Sequence, residues 1–154
     1  MAVCLRYSRT SFEAEDVMQE AFIKVFEHIG SFKGECPLEF WIRRIMVNTA
    51  LKHHRKQMHI SSVAENDKIE AIPEEEFILS HYNYEDLLLM VQSLAPRYQL
   101  IFNLYAIEGY THKEIATMLD ISEGTSKSQY SRARAILKEM LERHEAKYNE
   151  RIIR

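Results

Sequence analysis

The stretch THKEIATMLDISEGTSKSQYSRARAIL, residues 111–137, decides the fold of the second half of the chain. Thr111 and Glu114 form a capping box, in which a threonine hydroxyl and a glutamate three residues later satisfy free amides at the start of a helix. This helix is predicted to end near Leu119. A turn of three residues follows, and its last residue, Ser122, is a favourable N-cap for a longer helix. The stretch therefore predicts two helices joined by a tight turn.

The longer helix has two faces on a helical wheel with about 100° per residue. Apolar and aromatic side chains share one face, which is predicted to pack against a core: Tyr130, Ala133, Leu137, Met140 and Leu141. Cationic and small polar side chains share another: Lys127, Ser131, Arg134 and Lys138. This geometry is typical of a helix-turn-helix that places its second helix in the major groove of DNA. The alternative is a solvated helix whose basic residues are fortuitous.

Charge is distributed unevenly along the 154 residues, although the net charge is only −3. Residues 42–60 and 124–138 carry basic and no acidic side chains, whereas residues 65–86 are predominantly acidic. The local sign of charge therefore matters more for binding than the total. No apolar run approaches the roughly 20 residues that span a bilayer, and residues 1–7 are too short for a secretory signal. We therefore expect a cytoplasmic location.

No group of residues predicts catalytic or metal chemistry. Cys4 and Cys36 have neither metal-ligand nor disulfide-framework spacing. His53 and His54 are adjacent, which points them to different faces, and both are predicted to be solvated. The glutamates at 74–76 have no positioned partner for acid–base catalysis, and the sequence has no glycine-rich phosphate loop. We expect no enzymatic activity, no metal and no cofactor.

A first amphipathic helix is predicted between a capping box at Thr10 and a C-terminal stop at Gly30. Its apolar stripe comprises Ala14, Met18, Ala21, Phe22, Val25 and Ile29. On its polar face, Ile23 is surrounded by acidic, amide and basic side chains: Asp16, Gln19, Glu20, Lys24 and Glu27. Ile23 is either an ordinary exposed apolar residue or a small hot spot for a basic protein partner.

A second helix is predicted from Pro37 to about Lys56. Aromatic, cationic and amide side chains fall on one stripe of it: Trp41, Arg44, Asn48, Lys52 and Arg55. This stripe lies beside the predicted core residues Leu38, Ile42 and Ile45. Rings that stack on bases and cations that hold phosphates suit single-stranded nucleic acid. The alternative is that Trp41 belongs to the core and the arginines are solvated.

Helix signals recur on both sides of the acidic segment, and no strand pattern is present. In the second half, one helix is predicted to begin near Tyr84, and another to begin at Pro96 and end at Gly109. The predicted fold is all-α, with two small helical domains joined by an acidic linker. The first domain covers residues 1–59, the linker 60–83, the second domain 84–145 and a tail 146–154.

Several of these motifs together resemble a known family. Residues 16–26 (DVMQEAFIKVF), 32–35 (FKGE) and 40–50 (FWIRRIMVNTA) resemble conserved region 2 of bacterial extracytoplasmic-function (ECF) RNA polymerase sigma factors. Residues 94–116 (LAPRYQLIFNLYAIEGYTHKEIA) and the helix that follows resemble region 4 of that family. The motifs occur in the family order and cover all of the chain except the linker and the tail.

The resemblance implies a sigma factor that binds core RNA polymerase and promoter DNA, often under the control of an anti-sigma factor. It implies that the first helix docks on the polymerase clamp through Asp16, Gln19, Glu20 and Ile23. A loop with Phe32 and Lys33 would capture a base flipped from the melted −10 element. The −10 strand would then follow Trp41, Arg44, Asn48, Lys52 and Arg55.

For the last helix, the resemblance implies recognition of the −35 element. The expected base-edge readers are Lys127, Ser128, Gln129 and Ser131. Thr125, Arg132 and Arg134 are expected to contact phosphates, which position a protein on DNA without specifying sequence.

The chain departs from the family pattern at three places. Residues 1–9 resemble the latter part of a helix, Asp120 stands where a glycine is common, and Cys36 precedes Pro37 in the −10 loop. Two other functions stay open on the residues alone. One is a polymerase-independent regulator that uses only the helix-turn-helix, and the other is a module that sequesters an anti-sigma protein.

Overall fold

The computed structural model describes residues 1–60 and 83–152, and the chain divides into two compact units, Met1–Glu65 and Asn66–Arg154. Every regular element in the two described ranges is helical, which confirms the all-α prediction with two helical domains. Apart from its first and last residues, the predicted linker 60–83 lies outside the described residues.

The described part of the first unit contains helices and one short 3₁₀ turn: α1 (Ala2–Tyr7), α2 (Ser11–His28), the 3₁₀ turn Ile29–Ser31, and α3 (Leu38–Ile60). Helix α2 begins at the predicted cap, where the Thr10 hydroxyl accepts a hydrogen bond from the Glu13 amide at 3.1 Å. The Glu13 carboxylate in turn accepts one from the Arg9 amide at 2.9 Å. The first bond satisfies an amide that the start of a helix leaves free, and the second ties the residue before the cap to the first turn.

The second unit has its described helices in residues 83–152: α4 (Tyr84–Ser93), α5 (Pro96–Phe102) with a π-helical continuation (Asn103–Ile107), α6 (His112–Leu119), and α7 (Glu123–Ile152). The predicted starts at Tyr84 and Pro96 are confirmed. Gly109, with a φ of 78°, follows the π-helical turn as expected of a stop. Helix α7 continues to Ile152, so the segment expected as a tail is helical over residues 146–152.

Helices α1, α2 and α3 pack on one another through small and medium-sized apolar side chains. The buried residues of α2 are Ala14, Val17, Ala21 and Val25, and those of α3 include Met46, Val47, Ala50 and Leu51. Two residues of the predicted apolar stripe, Phe22 and Ile29, lie outside this core, because they are 38% and 44% exposed. Phe22 follows Ala21 by about 100° around α2, so it lies at the edge of the packed face.

The buried face of α3 also differs from the predicted one. Leu38 is exposed, and Ile42 and Ile45 are only half-buried. The prediction that His54 is solvated was wrong, since its ring is 4% exposed. Helix α1 packs against α3, and the backbone of Tyr7 approaches the His54 ring. Burial lowers the pKa of His54 below its ordinary value, because an apolar environment disfavours the charged imidazolium.

One hydrophobic cluster of the second unit joins α4, α5 and α7. It is formed by Val91, Leu94, Tyr98, Ala133 and Leu137, with Met90, Phe102, Ile136 and Met140 packed against it. The predicted core face of α7 is therefore confirmed at Ala133 and Leu137. Tyr130 is half-buried on the same face, with its ring stacked on Phe102 at 6.2 Å between centroids.

Candidate nucleic-acid interface

Helices α6 and α7 and the turn between them have helix-turn-helix geometry. At the start of α6, the Thr111 amide donates to the Glu114 carboxylate at 2.8 Å, and the Glu114 amide donates to the Thr111 hydroxyl at 3.3 Å. These bonds form the predicted capping box. The Thr111 amide and the Thr111 hydroxyl, which donates to the Glu114 carboxylate at 2.7 Å, both stabilise its charged form and lower the pKa of Glu114.

The turn is made by Asp120 in a left-handed conformation, with φ 57° and ψ 50°. It is the one non-glycine residue with positive φ in residues 1–60 and 83–152. Aspartate adopts this conformation more readily than most residues, although at some cost relative to glycine. The amide of Ile121 then donates to the Ala116 carbonyl at 3.1 Å, which closes the end of α6. The chain can thereby turn directly into the cap of α7.

The first turn of α7 is held by its N-cap. The Ser122 hydroxyl accepts from the Thr125 amide at 2.9 Å and lies 2.8 Å from the Thr125 hydroxyl. The Ser128 hydroxyl donates to the Thr125 carbonyl at 3.0 Å. The side chains of Thr125 and Ser128 are therefore already bonded within the helix, so any contact they make with a ligand must share or replace these bonds.

The predicted base and phosphate contacts all lie on α7, but their environments differ. Lys127 and Arg132 are exposed, whereas the side chains of Thr125, Ser128, Gln129, Ser131 and Arg134 are half-buried. The Arg134 guanidinium lies 6.0 Å from the ring centroid of Tyr130. Lys127 forms an ion pair with Glu123 at 2.7 Å. Glu123 immediately precedes the segment 124–138, which contains no acidic residue. This pair lowers the pKa of Glu123 and partly compensates the charge of Lys127.

One buried contact between α6 and α7 was not predicted. Ser126 is fully buried, and its hydroxyl lies 2.9 Å from Nδ1 of His112. The His112 ring stacks on Tyr105 at 4.2 Å with an interplanar angle of 12°. Ser126 stands four residues before Tyr130 and seven before Ala133, so its place on the core face of the helical wheel was a usable signal.

In the first unit, the predicted −10 stripe lies on the solvent side of α3. Arg44, Asn48 and Lys52 are exposed, and Arg55 is on the same helix with its side chain outside the described part. Lys52 keeps a 69% exposed side chain, although its Nζ lies 3.7 Å from a carboxylate oxygen of Glu20. The structure therefore brings the described stripe residues to one surface of the unit.

Trp41 contacts the loop that precedes α3. Its ring lies 5.3 Å from the ring of Phe32 at an interplanar angle of 49°, and both side chains are half-buried. Lys33, next to Phe32, is exposed, and Gly34 has a φ of 72° that favours glycine. Trp41 is thus neither a core residue nor fully accessible for stacking on a base. Its ring packs against Phe32 in the loop 32–37.

The four residues predicted to bind polymerase lie on α2 with different exposures. Asp16, Gln19 and Ile23 are exposed, and the exposed fraction of Ile23 is 59%. Two aromatic residues of the same helix, Phe22 and Phe26, are also exposed. The apolar surface is therefore larger than the single isoleucine that the sequence indicated.

Glu20, the fourth of these residues, is bonded within the unit. Its carboxylate lies 2.8 Å from the Lys24 ammonium and 2.6 Å from Nε2 of His53. Lys24 also donates to the hydroxyl of Thr49 at 3.0 Å. These bonds join α2 to α3. The hydrogen bonds from Lys24 and then His53 lower the pKa of Glu20 to about 2.

In residues 1–60 and 83–152, no three histidine, cysteine, aspartate or glutamate side chains are grouped as a metal site. Cys4 is buried and Cys36 is exposed, and both thiols are free. None of the described helices is long and apolar enough to cross a membrane.

Comparison with known proteins identifies a family match for each half of the chain. Residues 1–60 match the family model described as Sigma-70 region 2, and residues 84–137 match the one described as Sigma-70, region 4. The ECF RNA polymerase sigma-E factor of Escherichia coli (strain K12) is 31% identical, with 80% of this chain and 71% of the relative covered. The ECF RNA polymerase sigma factor SigE of Mycolicibacterium smegmatis is 29% identical, with 90% and 56% covered.

Solved structures show the same fold. The sigma factor RpoE in complex with the anti-sigma factor NepR from Bartonella quintana has a TM-score of 0.59 and 23% identity, with 92% of this chain and 88% of that chain covered. Matches to both sigma-70 regions in their family order, together with a relative of this identity and coverage, lead to one conclusion. The chain belongs to the ECF family of RNA polymerase sigma factors, which direct RNA polymerase to specific promoters for the initiation of transcription.

Proposed function

We propose that α7 recognises the −35 element as duplex DNA. The observation that carries this proposal is the capped α6–turn–α7 geometry, which leaves Lys127 and Arg132 exposed on the longer helix. A recognition helix reads base edges mainly through the residues of its N-terminal half. Four residues there are the proposed base readers, Lys127, Ser128, Gln129 and Ser131. Three others are the proposed phosphate contacts, Thr125, Arg132 and Arg134.

The first unit is proposed to bind the −10 element as a melted strand. Exposed Arg44, Asn48 and Lys52 offer a cationic and amide surface for phosphates and base edges. Arg55, on the same helix, is proposed as a further contact with the strand. The loop with Phe32 and Lys33 is proposed to hold a flipped base. Because the Trp41 ring contacts Phe32, its proposed part in melting includes keeping this loop in place. Extruding a base costs a few kcal/mol, so a loop held in shape lowers the total cost of capture.

Helix α2 is proposed to dock on core RNA polymerase. Its exposed surface places Ile23 and two aromatic rings beside Asp16 and Gln19. An apolar centre with a polar and acidic rim is the usual anatomy of a small interaction hot spot. Glu20 contributes through the exposed part of its side chain and through the bonds that hold α2 against α3.

The proposed division of the chain follows from these surfaces. Residues 1–59 form the polymerase and −10 domain, residues 60–83 the linker, residues 84–145 the −35 domain, and residues 146–154 the end of the chain. One structural neighbour was solved with the anti-sigma factor NepR, and another, CnrH, was solved with the cytosolic domain of CnrY. A protein of this kind is the proposed regulator. The chain is proposed to act in the cytoplasm without catalytic chemistry of its own.

The experiment that tests this function is run-off transcription with purified core polymerase and a promoter library. The wild-type chain is expected to select promoters with a defined −35 and −10 sequence. Lys127→Ala is expected to relax the −35 preference, and Arg132→Ala is expected to lower transcription from all promoters without changing the preference. Equal losses on selected and scrambled promoters in both variants would contradict the proposed contacts.

A further inference from the structure

A single histidine ring joins the three elements that surround the start of the recognition helix. His112 is the first residue of α6, Tyr105 belongs to the π-helical turn after α5, and Ser126 lies in the first half of α7. The ring stacks on Tyr105 at 4.2 Å, and its Nδ1 lies 2.9 Å from the Ser126 hydroxyl. Tyr130, one turn further along α7, lies 5.7 Å from the same ring.

The bond to Ser126 has a clear energetic reason. Ser126 is fully buried, whereas its neighbour Lys127 is exposed. A buried hydroxyl that lacks a partner destabilises the fold, because it loses the hydrogen bonds that water would have supplied. The imidazole of His112 supplies a partner from a different helix, so the bond depends on the angle and distance between α6 and α7.

The ring has the charge state that this environment favours. Burial, followed by the nearby Lys127, lowers the pKa of His112, and Glu123 opposes that shift. The imidazole is therefore neutral near pH 7, where an uncharged ring can be held between Tyr105 and Ser126 without the cost of a partly buried charge.

We propose that His112 is a positioning residue for DNA recognition: its bond to Ser126 and its stack on Tyr105 set the orientation in which α7 presents Lys127, Ser128 and Gln129 to the bases. This inference rests on the proposed reading of the −35 element by α7. Hydrogen bonds to base edges weaken steeply when their angles deteriorate, so a small rotation of the helix reduces discrimination between sequences. Contacts to phosphates, which long basic side chains make, tolerate such a rotation better.

Full-length variants separate the two contacts of the ring. Ser126→Ala removes the hydroxyl, and His112→Phe keeps a ring against Tyr105 but removes the hydrogen-bonding edge. The double variant lacks both partners. His112→Asn is the rescue variant, because its amide can reach the position of Nδ1. Thr117→Ala is the matched control, since the Thr117 hydroxyl donates to the Lys113 carbonyl of its own helix at 3.1 Å.

The readout is the ratio of the dissociation constants for a scrambled and a matched duplex, measured by fluorescence anisotropy below the melting temperature of every variant. The matched duplex is one that the wild-type chain selects from a random pool, and the scrambled duplex has the same base composition. Ser126→Ala and His112→Phe are each expected to lower this ratio about three- to tenfold, the effect of one lost hydrogen bond. The double variant should lose no more than either single one, and Thr117→Ala should match the wild type. His112→Asn restores the bond to Ser126 but not the stack on Tyr105, so it should recover part of the ratio lost in His112→Phe.

A contact that merely stabilises the fold would lower the melting temperature and leave the ratio unchanged. That result in both single variants, or losses that multiply in the double variant, would overturn this inference alone. A wild-type chain that binds the matched and scrambled duplexes equally would overturn the proposed −35 reading, and this inference with it.

Discussion

Replacing Glu20 with glutamine tests whether this carboxylate holds the first unit together. The side chain bonds Lys24 on its own helix and His53 on α3, at 2.8 and 2.6 Å. Lys24 in turn bonds Thr49, and Nζ of Lys52 on α3 lies 3.7 Å from the Glu20 carboxylate, so the network joins α2 to α3 at three points. Glutamine has nearly the same shape but no charge, and it therefore removes the ionic part of these bonds while leaving the packing unchanged.

The magnitude follows from the pKa of Glu20, which is lowered from 4.5 to about 2. A shift of this size in a fully buried group would correspond to about 3 kcal/mol. The Glu20 side chain is 35% exposed, however, and solvent and salt screen such pairs. We therefore expect Glu20→Gln to lower the free energy of unfolding of the first unit by about 1 kcal/mol at pH 7.

The assay is urea unfolding followed by tryptophan fluorescence. The chain has one tryptophan, Trp41, and it lies on α3, so the signal reports the first unit specifically. Because the folded pKa of Glu20 is below the unfolded one, its stabilising contribution is present above about pH 4.5 and is lost as the pH falls toward 2. The difference between the wild type and Glu20→Gln should shrink over this range.

The matched control is Glu15→Gln, which removes the same charge from an exposed position of the same helix. It is expected to leave the stability of the first unit nearly unchanged. Equal unfolding free energies for Glu20→Gln and Glu15→Gln at pH 7 would refute the bridging argument. If Glu20→Gln weakened polymerase binding but left the free energy of unfolding unchanged, Glu20 would act in docking and not in holding α2 against α3.

Three further variants test the other surfaces. Ile23→Glu is expected to reduce capture of core polymerase in a pull-down at least tenfold without altering unfolding, because its side chain is exposed and a charge there disrupts an apolar contact. Trp41→Ala is expected to impair open-complex formation more than Trp41→Phe, which keeps a ring against Phe32; permanganate footprinting measures this, and equal open complexes would contradict it. His54→Leu is expected to flatten the acid sensitivity of the first unit below pH 6.5, because the unfolded imidazole is protonated before the buried one; urea midpoints at several pH values, read by Trp41 fluorescence, check this.

Local chemistry made several features of the fold predictable. The caps at Thr10, Thr111 and Ser122 mark helix starts. Each hydroxyl accepts a hydrogen bond from the backbone amide three residues later, so the interaction depends only on residues that are close in sequence. The core face of α7 was also predictable, since a long helix on a compact unit buries one continuous stripe. The family motifs added the order of the two units and their expected contacts.

Other features depended on neighbours that helical periodicity does not identify. Phe22 and Leu38 are exposed and His54 is buried, because the packed faces of α2 and α3 are set by the position of α1 and by their own crossing. A helical wheel gives the direction of a side chain around its own axis. It does not say which part of that helix another element covers.

The sequence by itself determined the all-α class, the helix starts and their caps, the two-domain order, the family and the helices that carry the basic residues. Only the tertiary structure decided which side chains meet. Glu20 and His53 are 33 residues apart, His112 and Ser126 are 14 apart, and Phe32 meets Trp41 across a loop. Hydrogen bonds and ring contacts require separations of a few ångströms between atoms of different elements, and such separations are fixed by packing rather than by local pattern.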